Sequence, residues 1–137
     1  MRSKLLLVIA TALIAATPAL AADFVVTAPS SVVYAINGAA NPVLALHRGS
    51  TYTFALNAAG HPFWIKSVQG VTSANAYNDG VTNNGIETGT LTFTVPMTAP
   101  STLYYNCEFH APMTNRIQVT TLAVASGTWA TVKALFD

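Results

Sequence analysis

Short apolar segments with a two-residue period recur along most of this chain. In residues 51–56 the large apolar side chains occupy every second position, and Leu91, Phe93 and Val95 do so again further on. Successive side chains of a β-strand point to opposite faces of a sheet, whereas a helix spaces its apolar residues three and four apart. The pattern therefore indicates half-buried strands, and it restricts the chain to the all-β class.

Eight segments of this kind are predicted, and turn residues such as those of Asn37-Gly38 separate them. β-Branched and aromatic residues, which favour strands, dominate the segments. Seven or eight short strands within about 100 residues are typical of a β-sandwich, in which two sheets pack face to face. The predicted strands are residues 23–28, 31–36, 51–56, 63–66, 91–95, 103–107 and 116–120, together with the pair Leu44 and Leu46.

The N-terminus has the three parts of a secretory signal peptide. Arg2 and Lys4 precede an uncharged, mostly apolar run at residues 5–16, and residues 18–21 supply small side chains. Such a run is too short to span a bilayer, for which a helix needs about 20 residues. We expect cleavage after Ala21, export to the periplasm or secretion, and no membrane span in the mature chain.

Residues 22–137 are predicted to form one domain, since a chain of this length supports a single core without disulfide or metal cross-links. Residues 67–89, which are rich in Asn, Gly, Ser and Thr, are expected to form a long irregular connection that is functional or contains a short element. From about residue 121 a C-terminal extension follows. In it, Trp129, Leu135 and Phe136 could lie on the apolar face of a short helix.

Composition and charge exclude several classes of function. Only 8 % of the residues are charged, the net charge is +1, and the 6 Lys and Arg residues are scattered. Nucleic-acid binding needs clustered cations that neutralise phosphates, so we expect no nucleic-acid partner. The apolar share of 52 % argues against intrinsic disorder. A single cysteine excludes a disulfide framework and a metal site made of cysteines alone.

The most informative stretch is residues 104–113, in which Cys107, His110 and Met113 follow a Cys-x2-His-x2-Met spacing. This spacing suits one tight loop between two strands that turns a thiol, an imidazole and a thioether toward one point. Cys107 is in phase with the apolar residues of its predicted strand, so we expect it to end that strand facing the core. His61 lies at a turn upstream, between a glycine and a proline, and two such loops can meet at one end of a sandwich.

Copper is the metal that this donor set favours. Two imidazoles, one thiolate and a weak thioether form the trigonal His2Cys site with a long axial Met; the sulfur ligands suit Cu(I), and the imidazoles also suit Cu(II). Zinc prefers four strong ligands and gains nothing from a thioether. We therefore predict one copper ion per chain, cycling between Cu(I) and Cu(II), with His61, Cys107, His110 and Met113 as its ligands.

Each of these residues has a structural alternative when it is considered alone. A single cysteine or methionine is usually a core residue, and a lone histidine usually belongs to a loop. The alternative weakens when all four fall into one pattern on an exported chain, because an oxidising compartment would pair, oxidise or metallate a lone cysteine. His47, in a Leu-His-Arg-Gly turn without a soft partner nearby in sequence, is predicted to be structural or solvated.

The order His…Cys-x2-His-x2-Met on an exported β chain resembles that of the cupredoxins, the small blue-copper proteins, and the likeness spans residues 23–120. The ligand loop looks like the short loop of amicyanin. The resemblance implies a Greek-key sandwich with copper near one pole, and it maps the family's ligands onto His61, Cys107, His110 and Met113. It also implies outer-sphere transfer of one electron through the edge of His110.

Two residues depart from the family's pattern. Pro62 stands where many members have an Asn directly after the upstream His, and that Asn side chain ties the two ligand loops together. Asn106 stands before Cys107, where plastocyanins carry an aromatic residue. Neither change removes a ligand, but both alter the hydrogen bonds around the metal, which tune its reduction potential.

The leading hypothesis is a carrier of one electron, in which Cys107 is the main electronic path, His110 the port and Met113 the axial ligand. The alternative is a copper-binding or copper-delivery protein that uses the same ligands without a dedicated electron-transfer role. An enzyme is not expected, because four donors leave no open position on the metal for a substrate.

The expected partners are redox proteins, and the chain itself is expected to be a monomer. The weak net charge implies that docking depends on apolar contact more than on electrostatic steering. Pro62, Phe63, Ala111 and Pro112 are expected to provide an apolar patch around the port.

Overall fold

A computed structural model describes residues 21–123, and in this part of the chain it contains ten strands and no helix. None of these residues belongs to a helix that is long and apolar enough to cross a membrane. The predicted signal peptide, apart from Ala21, and the predicted C-terminal helix lie outside the described residues. The strands are β1 (Phe24–Ser30), β2 (Val33–Ile36), β3 (Ala39–Ala40), β4 (Leu44–His47), β5 (Thr51–Asn57), β6 (Phe63–Lys66), β7 (Val81–Thr82), β8 (Thr88–Thr94), β9 (Thr102–Cys107) and β10 (Thr114–Thr120).

All eight predicted segments form strands, and β3 and β7 are additional. The two additional strands contain two residues each. A pair of residues holds no complete period of alternation, so nothing in the sequence marks it as a strand. The prediction of seven or eight strands was therefore short by these two edge strands.

The strands form two sheets, with the orders β3-β2-β1-β5-β8-β7 and β4-β10-β9-β6. In the first sheet β1 pairs in parallel with β5, and in the second β10 pairs in parallel with β4, while the other pairs are antiparallel. The chain passes repeatedly from one sheet to the other instead of completing one sheet first. The predicted all-β Greek-key sandwich is thus confirmed.

The core between the sheets is built from the alternate residues that the sequence pattern indicated. In β5 Phe54 and Leu56 are buried, and their neighbours on the chain are more exposed. Three fully buried rings lie together near one end of the sandwich: the centroid of Phe63 is 5.1 Å from that of Tyr34 and 5.4 Å from that of Tyr105. Packed aromatic rings contribute large apolar area and hold each other in place.

The long connection after β6 is irregular, as predicted, and it contains the short strand β7. One side chain of this connection, that of Asn84, covers the free edge of β6. The Asn84 amide oxygen accepts a hydrogen bond from the Ile65 amide at 2.8 Å, and its nitrogen donates to the Ile65 carbonyl at 3.0 Å. Asn84 therefore pairs with this edge as a strand residue would, which protects the edge from other chains.

Candidate metal centre

Pairing between β6 and β9 brings His61 and Cys107 to the same end of the sandwich. Cys107 is the last residue of β9, and Phe63, the first residue of β6, is its partner in the register. Both side chains are fully buried and face the core. Because His61 precedes Phe63 by two residues, its turn lies directly beside the cysteine. His110 lies in the loop that joins β9 to β10.

Three of the four predicted ligands lie together. The Nδ1 atom of His61 is 3.7 Å from the sulfur of Cys107, and the Nδ1 atom of His110 is 3.5 Å from the same sulfur. The imidazole rings are 4.7 Å apart, and the three donor atoms all lie within 4.8 Å of one another. Among the described residues this is the one group of three or more His, Cys, Asp or Glu side chains close enough to hold a metal ion.

The spacing of the donor atoms fits a bound transition metal. Three ligands placed trigonally at about 2.0–2.3 Å from one ion are separated from each other by roughly 3.5–4 Å. The distances of 3.5 and 3.7 Å from the Cys107 sulfur to the two Nδ1 atoms agree with this value. One thiol and two imidazoles are also the in-plane donors of a type 1 copper site. Copper therefore fits this cluster by both geometry and donor chemistry.

Met113 is fully buried in the same loop. The loop is closed by backbone hydrogen bonds, because the Cys107 amide donates to the Met113 carbonyl at 3.0 Å and the Met113 amide donates to the His110 carbonyl at 3.1 Å. The spacing predicted such a tight loop. The role of Met113 as a metal ligand stays a prediction.

The turn that carries His61 is fixed at both of its ends. Gly60 adopts a φ of 78°, in the left-handed region that glycine tolerates, and its amide donates to the Glu87 carboxylate at 2.8 Å. The His61 amide donates to the Ala58 carbonyl at 2.9 Å. The Pro62 carbonyl accepts the Glu108 amide at 3.1 Å, so one backbone bond joins this turn directly to the ligand loop.

The outer side of β6 and β9 holds a buried ammonium group that the sequence pattern did not predict. Lys66 is 1 % exposed, and its Nζ donates to the carbonyls of Gly70 and Thr72, the latter at 2.9 Å, with Val71 as a third acceptor at 3.2 Å. Burial lowers the pKa of Lys66, and the negative charge of Glu108 acts in the opposite direction. Lys66 thus ties the start of the long connection against the sheet.

Asn106 is one of the two residues that depart from the family's pattern. Like Lys66, it binds the start of the long connection to the sheet. Its amide oxygen accepts the Gly70 amide at 2.8 Å, and its nitrogen donates to the Cys107 carbonyl at 3.1 Å. The Thr72 amide donates to the Glu108 carbonyl at 2.7 Å. Residues 70–72 therefore line the back of the strand end that carries Cys107.

The exposed surface around the cluster differs from the predicted patch. Pro62 and Phe63 are buried, because Phe63 is the register partner of Cys107 and faces the core. Ala111 and Pro112 are exposed as expected, and Phe109 is 62 % exposed beside them. The apolar surface next to His110 is thus formed by the ligand loop itself.

The histidines differ in position more than in exposure. His61 and His110 are both partly exposed, so exposure alone does not identify His110 as the port for electrons. His47 lies outside the cluster, at the far end of β10, and its Nδ1 is 2.9 Å from the Thr120 hydroxyl. This agrees with the prediction that His47 is structural or solvated.

Two residues near the site were not singled out by the sequence pattern. The hydroxyl of Tyr34 donates to the carbonyls of His61 and Pro62, at 2.8 and 3.1 Å. The Asn41 side chain donates to the Pro112 carbonyl at 3.2 Å. The alternation in β2 identifies Tyr34 as a core residue, but its contacts with the ligand loops span long stretches of chain that no local motif records.

Comparison with known proteins supports the fold. No protein-family model matches the chain, and no curated protein does so either. Among solved structures, reduced rusticyanin matches with a TM-score of 0.51 and 24 % identity, covering 71 % of this chain and 77 % of that one. A second structure of the copper protein rusticyanin matches with a TM-score of 0.51 and 23 % identity, over 71 % and 76 % of the two chains. Rusticyanin from Thiobacillus ferrooxidans gives a TM-score of 0.49 at 25 % identity, over 71 % and 75 %.

Rusticyanin is a cupredoxin, so the matched structures have the fold that the ligand motif implied. At this level of identity the likeness establishes the fold, and the donor cluster is an independent observation. The cupredoxin-like fold expected from the ligand motif is therefore confirmed.

Proposed function

We propose that this protein is a type 1 copper protein that carries single electrons between redox partners. The observation that carries the proposal is the convergence of two Nδ1 atoms on the sulfur of the buried Cys107, at 3.7 and 3.5 Å. Two imidazoles and a thiolate suit both oxidation states of copper, so electron transfer would need little rearrangement. One copper ion per chain, with Met113 as a weak axial ligand, completes the proposed site.

Three structural features of the chain suit such a site. Burial of Cys107 keeps water from the thiolate. Backbone hydrogen bonds at both ligand segments hold the donors before the metal arrives. The partly exposed His110, between the exposed side chains of Phe109 and Ala111, offers an edge that a partner can approach. We propose that electrons pass through this edge to redox proteins that dock by apolar contact.

Colour is the direct test of the proposed site. Purified protein mixed with Cu(II) is expected to show an intense visible band from thiolate-to-copper charge transfer, which bleaches on reduction and returns on oxidation. Cys107→Ser removes the thiolate and should abolish the band. His47→Gln is the matched control, since this histidine lies at the opposite end of β10 and should leave the band unchanged. A band that persists in Cys107→Ser would refute the site.

A second measurement separates an electron carrier from a copper-delivery protein. A carrier keeps its copper through many cycles with small redox reagents, so the metal content after cycling should remain one ion per chain. A delivery protein would instead lose Cu(I) to a chelating acceptor during the same cycles. Loss of the metal on this timescale would favour the delivery role over the carrier role.

Export is part of the proposal, because the signal peptide predicted at residues 1–21 would direct the chain to the periplasm or to secretion. N-terminal sequencing of the protein recovered outside the cytoplasm should begin at Ala22. Recovery of the protein inside the cell with its first residues intact would contradict this part. Sedimentation of the same sample tests the expected monomer.

A further inference from the structure

The two segments that supply the donors come from distant parts of the chain. His61 lies in the turn before β6, and Cys107 and His110 lie in the loop after β9. One backbone bond joins them directly, from the Glu108 amide to the Pro62 carbonyl at 3.1 Å. Pro62 has no side-chain donor and no amide hydrogen, so the residue after His61 cannot tie the segments further.

Tyr34 forms a second contact with the His61 turn, from inside the core. Its side chain is fully buried in β2, and its hydroxyl hydrogen is shared between the carbonyl of His61 at 2.8 Å and that of Pro62 at 3.1 Å. The ring packs edge-on against Phe63, the register partner of Cys107, at 5.1 Å between centroids. Burial, with a smaller contribution from the neighbouring Cys107, raises the pKa of the phenol far above its ordinary value, so it stays a neutral donor.

Asn41 connects Tyr34 to the other segment. Its amide oxygen accepts the Tyr34 amide and its backbone amide donates to the Tyr34 carbonyl, both at 2.8 Å. Its side-chain nitrogen donates to the carbonyl of Pro112 at 3.2 Å, inside the ligand loop. Asn115, just beyond that loop, donates to the Asn41 carbonyl. Asn41 lies between β3 and β4 with a φ of 40°, in the left-handed region that asparagine tolerates better than most residues.

Together these contacts form a continuous bridge from His61 through Tyr34 and Asn41 to Pro112. We propose that Tyr34 and Asn41 are positioning residues, which hold the two ligand segments at a fixed separation and, through the dipoles of their donor groups, set the reduction potential of the bound copper. The inference rests on the proposed function for its metal, but the bridge itself joins residues of this chain only.

The direction of the effect follows from the dipoles involved. The Tyr34 hydroxyl and the Asn41 amide each place the positive end of a bond dipole on a carbonyl oxygen of a ligand segment. Without them, the negative ends of these carbonyls, one on His61 itself and one on the residue before Met113, are no longer offset. The oxidised ion, which carries one more positive charge, gains more from that change than the reduced ion, so the potential should fall.

Two pairs of variants test the proposal. Tyr34→Phe and Asn41→Gly remove the bridge, and glycine keeps the positive φ of Asn41. Tyr105→Phe and Asn37→Gly are the matched controls. The Tyr105 hydroxyl bonds to the Pro42 carbonyl, and Asn37, also at positive φ, bonds to the start of β1. The controls therefore remove the same chemistry where it touches neither ligand segment.

In the copper-loaded protein, Tyr34→Phe and Asn41→Gly should each lower the potential by about 59 mV, which is tenfold in a one-electron equilibrium. The controls should change the same equilibrium constant by less than about threefold, which corresponds to a shift in potential of about 30 mV. A potential that is unchanged in both bridge variants would overturn the proposal. So would shifts of equal size in all four variants, which would indicate general loosening.

A measurement on the metal-free protein keeps the proposal separate from the presence of copper. The rate at which a bulky disulfide reagent modifies Cys107 reports how tightly the two segments close over the thiol. Tyr34→Phe and Asn41→Gly should speed this reaction about tenfold relative to Tyr105→Phe and Asn37→Gly. Equal rates in all four variants would overturn the bridge even if copper binds. Faster rates in a protein that shows no charge-transfer band would uphold the bridge and reject the copper function alone.

Discussion

The amide of Cys107 donates a hydrogen bond to the carbonyl oxygen of Met113 at 3.0 Å, so the first and last predicted donors of the loop are joined through the backbone. A second bond, from the Met113 amide to the His110 carbonyl at 3.1 Å, shortens the loop further. Because the backbone closes the loop, a replaced side chain at Met113 should leave the positions of Cys107 and His110 largely unchanged. The loop thus permits a test of the axial ligand alone.

Replacing Met113 should tune the copper site without destroying it. Met113→Leu removes a donor that favours the more positive ion, so the potential should rise. Met113→Gln supplies a harder oxygen donor that favours Cu(II), so the potential should fall. We expect shifts of about 59 mV or more, equal to about 1.4 kcal/mol, measured by protein-film voltammetry. If Met113 is only a core residue, both variants will keep the wild-type potential, and Gln will simply destabilise the fold.

Removing the Lys66 ammonium should loosen the connection after β6. Lys66→Met keeps the apolar stem but leaves the carbonyls of Gly70, Val71 and Thr72 without their donor. We expect the free energy of unfolding to fall by about 1–3 kcal/mol in urea titrations, because hydrogen bonds from a charged group are lost. The amide hydrogens of residues 70 and 72 should also exchange faster.

The control for this variant is Arg116→Met, which removes an exposed cation from β10. A surface change of this kind should alter stability by no more than about 0.5 kcal/mol. Equal losses in the two variants would indicate a general effect of net charge rather than the loss of the three carbonyl contacts.

Alanine at Gly85 should be far more harmful than alanine at Gly38. Both glycines adopt positive φ, at 82° and 84°, so both variants incur backbone strain of about 1–2 kcal/mol. A Cβ atom at Gly38 meets nothing within 4 Å, whereas one at Gly85 would lie under 3.0 Å from the ring of Trp64. That ring donates a hydrogen bond to the Glu108 carboxylate at 3.0 Å, which the displacement would break.

Chemical denaturation of the two alanine variants checks this expectation. Tryptophan fluorescence in a Trp129→Phe background, in which Trp64 is the single tryptophan, adds a local readout. Gly85→Ala should lose more stability than Gly38→Ala and should shift the emission of Trp64. Equal stability losses with unchanged emission would mean that the ring moves aside without cost.

The Asp23 carboxylate should contribute stability that depends on pH. It accepts hydrogen bonds from the Thr53 amide at 2.7 Å and the Thr53 hydroxyl at 3.0 Å, and these bonds lower the pKa of Asp23 below its ordinary value of 3.8. The unfolded chain therefore binds the proton more readily than the folded chain. The contribution is fully present above the unfolded value and is lost as the pH falls through the folded one.

Asp23→Asn removes this titration. The difference in the free energy of unfolding between wild type and variant should therefore be constant near neutral pH and should narrow below pH 3.8. Urea unfolding of both proteins at neutral pH and in acid measures this difference. A difference of the same size at both pH values would contradict the assigned role of Thr53.

The alternation of apolar residues predicted the strands correctly because each side chain in a half-buried strand reports its own face. Phe63 shows where such reasoning failed: its position near His61 suggested an exposed patch, but its phase in β6 and its pairing with Cys107 put it in the core. Lys66 is a second case, since a lysine that ends a strand is usually solvated. Here three carbonyls of the following turn replace water around the ammonium group.

The sequence alone predicted the four donors and their order, because side-chain type and the Cys-x2-His-x2-Met spacing can be recognised in one short stretch and in His61. It also determined the all-β class, since a two-residue period is a local signal. Only the tertiary structure decided what surrounds the donors. Tyr34 reaches the His61 turn and Asn41 reaches Pro112 across long stretches of chain, and such contacts exist only after the sheets have packed. A hydrogen bond between distant segments depends on where both are placed in space, and no local pattern records that placement.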